Sequence, residues 1–247
     1  MHFLNTQLLE FQQFTTPCIM AENFLRRNKE KVKHILSRNF FLHKSIYLFY
    51  NLWHRRGLQK HYSGGVKIRV FNLGKNNVFF ADKGCFLDNT FVEVRGNNNI
   101  IKLGKNVKMR EKCHLSIIGN NCKIDIGDNV TMTSFIHLEV NEDNQCILIG
   151  EDCMFSNHII CRTNDSHPIY KKDTLERINP PKSIVIGNHV WIAAGVSILK
   201  GVHIKDGSII GLNSIVTHDI PSYSLAVGAP AKVVKEDVEW TRKLKST

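Results

Sequence analysis

Six aliphatic residues, Ile186, Ile192, Ile198, Ile204, Ile210 and Val216, recur at every sixth position of this chain without a miss. Four positions after each stands a small or branched residue: Val190, Val196, Val202, Ser208, Ser214 and Ile220. A helix repeats its buried face near every 3.6 residues and a strand at every second, so a strict six fits neither. It fits a chain that makes a short strand, turns a corner and repeats. Three such sides close a triangular coil of eighteen residues, and residues 186–221 then supply two full coils with the aliphatic positions inward. Each coil buries its apolar edge only against its neighbours, so the array is cooperative and extends in one dimension.

A longer form of the repeat runs upstream. Ala81 to Cys85, Leu103 to Val107, Ile126 to Val130 and Ile149 to Cys153 align with one another, with starts 22, 23 and 23 residues apart. This reads as an eighteen-residue coil plus a short excursion, formed by the polar runs Gly96 to Asn99, Gly119 to Asn121 and Asn141 to Asn144. Asn and Gly tolerate the left-handed backbone that tight corners require. Between Ile149 and Ile186 the interval jumps to 37 residues. An extended loop is therefore expected at about 162–183, and it contains Asn164-Asp165-Ser166-His167-Pro168. Loops on rigid scaffolds are where chemistry concentrates.

The fold class expected is an all-β solenoid, with a basic, aromatic helical segment over 1–65, repeats over 66–235 and a short C-terminal helix or tail over 236–247. Residues 19–60 carry helix-compatible apolar spacing around Phe24, Leu25, Val32, Ile35 and Leu36 and hold no Gly or Pro before Gly57. The aromatic run Phe40 to Trp53 is interrupted by His43 and Lys44 and falls short of the ~20 residues a bilayer span needs. No basic stretch followed by an apolar core and a small-residue cleavage site opens the chain, so a cytoplasmic protein is expected. Seven Cys without a C-x-x-C pair argue against a disulfide framework or a cysteine zinc site; Cys85 and Cys153 share the inward phase of Val107 and Val130. Residues 1–67 hold eleven Lys or Arg against Glu10, Glu22 and Glu30, which is +8 of the chain's net +11. That segment is either a solvated helical face or a surface for an anionic polymer or the inner membrane. With no recognised nucleic-acid motif beside the charge, nucleic acid is not expected as a partner.

The run Asn188-His189-Val190-Trp191-Ile192, followed by Gly201-Val202, Ile210-Gly211, Ser214 to Thr217, Asp219-Ile220-Pro221 and Gly228 to Lys232, closely resembles the hexapeptide-repeat acyltransferases. The likeness is greatest to their galactoside and polysialic acid O-acetyltransferase branch. It is strong over about 149–235, weaker back to about 78, and does not reach the N-terminal segment. The resemblance implies a left-handed parallel β-helix, a homotrimer, and acetyl-CoA bound between subunits with no metal. It also implies the site. His167, beside Pro168 and 24 residues before Trp191, matches the family's catalytic histidine. Trp191 matches a tryptophan beside the CoA thiol end. Ala193 or Ala194 is expected to supply the oxyanion N–H, Leu212 to line the CoA groove, and Thr217 and His218 to align with the family's Thr-Lys, the His replacing a Lys. Pro230 belongs to the adenine loop, and Lys232 and Lys235 are suited to phosphate. On the acceptor side His137 and Asp165 are the candidates, Asp165 either orienting His167 or shaping its turn.

The chemistry agrees with such a set. A sugar hydroxyl attacks a thioester poorly unless a base of near-neutral pKa takes its proton. The expected activity is transfer of acetyl from acetyl-CoA to a hydroxyl of a bacterial cell-surface glycan, capsular polysaccharide or lipopolysaccharide, by direct transfer in a ternary complex. The alternatives are an N-acetyltransferase acting on an amino-sugar nucleotide, a non-catalytic scaffold, and a zinc enzyme of carbonic anhydrase type. The last needs three imidazoles on one metal, for which His114, His137, His158 and His189 are the candidates.

Overall fold

The computed structural model describes residues 58–61 and 66–244. The helices expected within 19–60 lie outside the described residues, except that Leu58–His61 is a strand. Among the described residues every regular element is a strand, and all strand pairs but the last are parallel.

The strands stack as three sides of a coil. One side is a seven-stranded sheet that runs Leu58–His61, Asn77–Ala81, Ile100–Leu103, Lys123–Ile126, Cys146–Ile149, Ile184–Ile186, His203–Ile204. The other two sides are joined into one 14-stranded sheet because the strand Phe86–Arg95 rounds the corner between them. The register gives the repeat lengths directly. Val78 pairs with Ile100, His114 with His137, Ile147 with Ile184 and Val185 with His203, steps of 22, 23, 37 and 18 residues. The sequence intervals are therefore the pairing intervals.

The core is the inside of the coil. Ile186, Ile192, Ile198, Ile204, Ile210 and Val216 are all at most 2% exposed, and so are the six positions that follow each by four. Cys85, Val107, Val130, Cys153 and Val190 stack in one inward column, as their shared phase requires. Burial of this kind contributes on the order of 1.5–3 kcal/mol for each large aliphatic side chain.

Corners demand a left-handed residue once per turn. At one corner the positive-φ residues are Gly84, Asn106, Asn129, Asp152, His189, Gly207 and Tyr223; at the next they are Asn89, Lys112, Phe135, His158, Gly195 and Asn213. Asn and Gly were expected at the polar excursions; these two corners also use Asp, Lys, Phe, His and Tyr. A non-glycine residue in this region costs about 1–2 kcal/mol, and the ladder bonds on both sides impose it. At Gly195 a Cβ would stand 2.0 Å from Asn213 Oδ1, so a side chain there would be strained and would push the Asn213 amide aside. The polar excursions are tied by an asparagine ladder in which Asn76, Asn98, Asn121 and Asn144 each bond the next.

The solenoid ends in an antiparallel hairpin, Leu225–Gly228 with Ala231–Lys235, which covers the edge the last coil would leave open. The C-terminal helix expected over 236–247 does not form in its described part, 236–244. Val238 N–H bonds Tyr223 O of the last coil, and the chain then runs back over earlier coils. Tertiary anchors at Trp240 and Arg242 replace the internal bonds a helix would make.

Candidate active site

The 37-residue step leaves residues 163–183 outside the coil, and their base is closed by Lys182 N–H to Thr163 O at 2.9 Å. The loop is ordered by polar contacts, not by apolar burial. Arg177 donates two bonds to the Glu142 carboxylate, at 2.5 and 2.7 Å. Asn164 is bonded by Asn141 and donates to Glu142. Asn179, 7% exposed, is the hub: its Nδ2 donates to His167 O at 2.8 Å and to Asp165 Oδ2 at 2.9 Å, while its Oδ1 accepts from Ile169 N–H at 2.6 Å. The backbone on both sides of His167-Pro168 is thus fixed by one buried amide.

His167 itself is exposed, and its imidazole makes no hydrogen bond or ion pair among the described residues. Asp165 does not orient it. The Asp165 carboxylate is taken by Lys200 Nζ at 2.5 Å and by Asn179, and the Lys200 bond is the main reason its carboxyl is held below the ordinary range. Arg177 does the same for Glu142. Both groups are acids spent on holding the loop.

Ser166 Oγ accepts from Arg162 at 3.4 Å, and Arg162 also bonds Glu139, which faces His137 Nδ1 at 3.7 Å. A line of polar groups therefore joins the acceptor candidate His137 to the residue before His167. Cys161 at the base of the loop is fully buried, as are Cys153 and Cys113 in the coil core. Burial pushes the Cys161 and Cys153 thiols up to about 12 and Cys113 up to about 11.

The donor-side candidates gather at a different corner. Trp191, partly exposed, opens the strand Trp191–Ile192, with Ala193 and Ala194 just after it. Ala193 N–H is already bonded to Ile210 O at 2.9 Å, whereas Ala194 N–H has no acceptor among the described residues. Of the two alanines, Ala194 has the free donor. Leu212, 66% exposed, lies one coil further on, where Asn213 N–H bonds Ala194 O. Pro230 and the exposed Lys232 and Lys235 belong to the hairpin beyond. Thr217 and His218 are bonded to each other at 2.8 Å and stand at the His167 side, one coil above Lys200.

The structure thus brings Trp191, Ala194, Leu212 and Pro230 together at one corner and His167, Asp165, Lys200 and His218 at the next. The side Ser197–Ile198 separates them, about six residues or ~20 Å of extended chain. Sequence reading missed Asn179, Lys200, Arg177 and Glu142. Their only signal was to be polar residues in or beside the one long loop.

The four histidines weighed as zinc ligands do not converge. His114 and His137 meet edge-on at 5.5 Å between ring centroids, His158 stacks on Phe135, and His189 is bonded to Asp152. Among the described residues no group of three His, Cys, Asp or Glu could hold a metal ion. Nor is any helix among them long and apolar enough to cross a membrane.

Comparison with known proteins gives three results that bear on this geometry. The crystal structure of the polySia-specific acetyltransferase NeuO superposes with a TM-score of 0.66 and 33% identity, covering 76% of this chain and 86% of that one. The polysialic acid O-acetyltransferase OatWY superposes with a TM-score of 0.59 and 27% identity, covering 76% and 89%. The polysialic acid O-acetyltransferase of Escherichia coli O1:K1 / APEC is 39% identical over 84 residues, 34% of this chain and 27% of that relative, so the chain spans about a quarter of that relative's length. No family model matches the chain.

Proposed function

The chain belongs to the hexapeptide-repeat acyltransferases, and from that premise we propose that it is an acetyl-CoA-dependent O-acetyltransferase acting on a hydroxyl of a bacterial cell-surface glycan. The observation that carries this reading is the single long step in the coil register, which presents His167 exposed, unbonded and backbone-fixed. The acceptor oxygen attacks the thioester carbonyl as His167 takes its proton. Ala194 N–H steadies the oxyanion, and Trp191 packs on the thin arm of acetyl-CoA. Collapse breaks the C–S bond, and the His167 imidazolium returns the proton to the thiolate, giving the acetyl ester and CoA-SH. The transfer is direct, in keeping with a fully buried Cys161, whose thiol burial pushes up to about 12, and a Ser166 held by Arg162.

The separation of the two corners supports an assembly of left-handed solenoids in a homotrimer, where the His167 corner of one subunit faces the Trp191 corner of the next. The reading extends to a cytoplasmic enzyme of capsule biosynthesis; an anionic acceptor fits the polysialic acid in the names of its relatives and the basic N-terminal segment. The test is to incubate enzyme and labelled acetyl-CoA with a panel of anionic and neutral polysaccharides and locate the acetyl group by NMR. An O-acetyl on an anionic polymer is the expected product, and label appearing on an amine would replace this reading.

A further inference from the structure

The C-terminal segment does more than end the chain. After Val238 it crosses the corner occupied by Asn129, Asp152 and His189 on successive coils. Trp240 is the anchor, 5% exposed, with its ring stacked on His189 at 4.1 Å and 7°. Its Nε1–H donates to His189 O at 2.8 Å, and its own carbonyl faces His189 Nε2 at 2.9 Å. His189 Nδ1 in turn meets Asp152 Oδ2 at 2.7 Å. Both ring nitrogens thus face oxygen atoms.

Arg242 completes the clamp. Its guanidinium donates to Asp152 Oδ1, Thr131 Oγ1 and the carbonyls of Asn129, Asp152 and Cys153, and it lies over the Trp240 ring. Asp152 is accordingly held below its usual range: burial pushes the other way, but the bonds from His189 and Arg242 prevail. A solvated tail would not bury a tryptophan or spend an arginine on two coils. The outcome of this clamp is a fixed neighbour for Trp191, whose ring lies 6.2 Å from Trp240 at 51°. Trp191 thus has the strap beside its ring and is followed along the chain by Ala193 and Ala194.

We propose that the strap, residues 238–243, is a positioning element of the acyl-donor site, in which Trp240 sets the Trp191 indole that packs on the pantetheine arm of acetyl-CoA. This rests on the donor-side reading of Trp191. Trp240 touches no substrate itself; it acts through Trp191.

Calorimetric titration of the full chain and its Trp240→Ala, Trp240→Phe, Arg242→Ala and Trp191→Ala variants with acetyl-CoA, and with adenosine 3′,5′-bisphosphate, tests it. The bisphosphate keeps the nucleotide end of CoA and lacks the arm. Trp240→Ala is expected to weaken acetyl-CoA at least about tenfold while the bisphosphate affinity stays the same, and Trp240→Phe, which still stacks, is expected to restore most of the loss. Arg242→Ala, a milder cut that leaves every buried ring in place, is expected to give a smaller loss in the same direction. Equal weakening of both ligands would mean a merely structural strap and overturn the proposal. If Trp191→Ala weakens acetyl-CoA and Trp240→Ala does not, the strap inference fails alone. If Trp191→Ala has no effect, the donor-side reading itself fails.

Discussion

At the residue scale, His167 and Asn179 divide the labour of the candidate site. The His167 side chain is exposed and unbonded, so its removal leaves the fold untouched while taking away the proposed base. His167→Ala is expected to lower acetyl transfer by about 10²–10⁴-fold with an unchanged melting temperature, read from initial rates and a thermal melt. Asn179 is the reverse case. Asn179→Ala removes the partner of the Ile169 N–H and of the His167 carbonyl, a loss of about 0.5–1.5 kcal/mol for each bond. Its expected signature is a lower kcat with faster amide exchange across 163–183. His167 was legible in sequence because a short motif carries it. Asn179 was not, since nothing local distinguishes a hub asparagine from any loop asparagine; only its burial does.

At the scale of the element, the 163–183 loop is held by carboxylates, and that makes it acid-sensitive. Asp165 and Glu142 have folded pKa values depressed by Lys200 and Arg177 respectively. A depressed carboxyl contributes stability that is present above its unfolded pKa, ~4, and is lost as pH falls through its folded value. Hydrogen exchange is therefore expected to show the loop loosening below about pH 4 while the ladder amides of the coils stay protected. Glu142→Gln, which keeps the shape and loses the charge, is expected to loosen the loop at neutral pH and flatten that acid response. The existence and place of this loop followed from counting residues between hexads. Its internal order did not, because ion pairs such as Arg177 with Glu142 join residues 35 apart across the gap.

At the scale of the whole molecule, the coils share one core, and damage to one is felt by its neighbours. Ile198, fully buried, truncated to Ala is expected to cost about 2–5 kcal/mol in urea unfolding. Assembly is tested by complementation. If His167 and Trp191 of one site come from different subunits, co-assembled His167→Ala and Trp191→Ala chains regain about a quarter of wild-type sites by random assortment. Sites within one chain would regain none. What the sequence determined by itself was the solenoid, its repeat lengths and the position of its one long interruption, because the inward aliphatic phase is strictly local and periodic. It also named His167 and Trp191, through motifs that occupy fixed phases of that repeat. Tertiary structure alone decided that the corners accept Lys, Phe and His, that Asp165 serves Lys200, and that residues 236–244 run as a strap rather than a helix. Each of these depends on partners one or more coils away, such as Arg242 with Asp152, 90 residues apart. Periodicity reports which way a side chain points, and only the stacked coils report what it meets there.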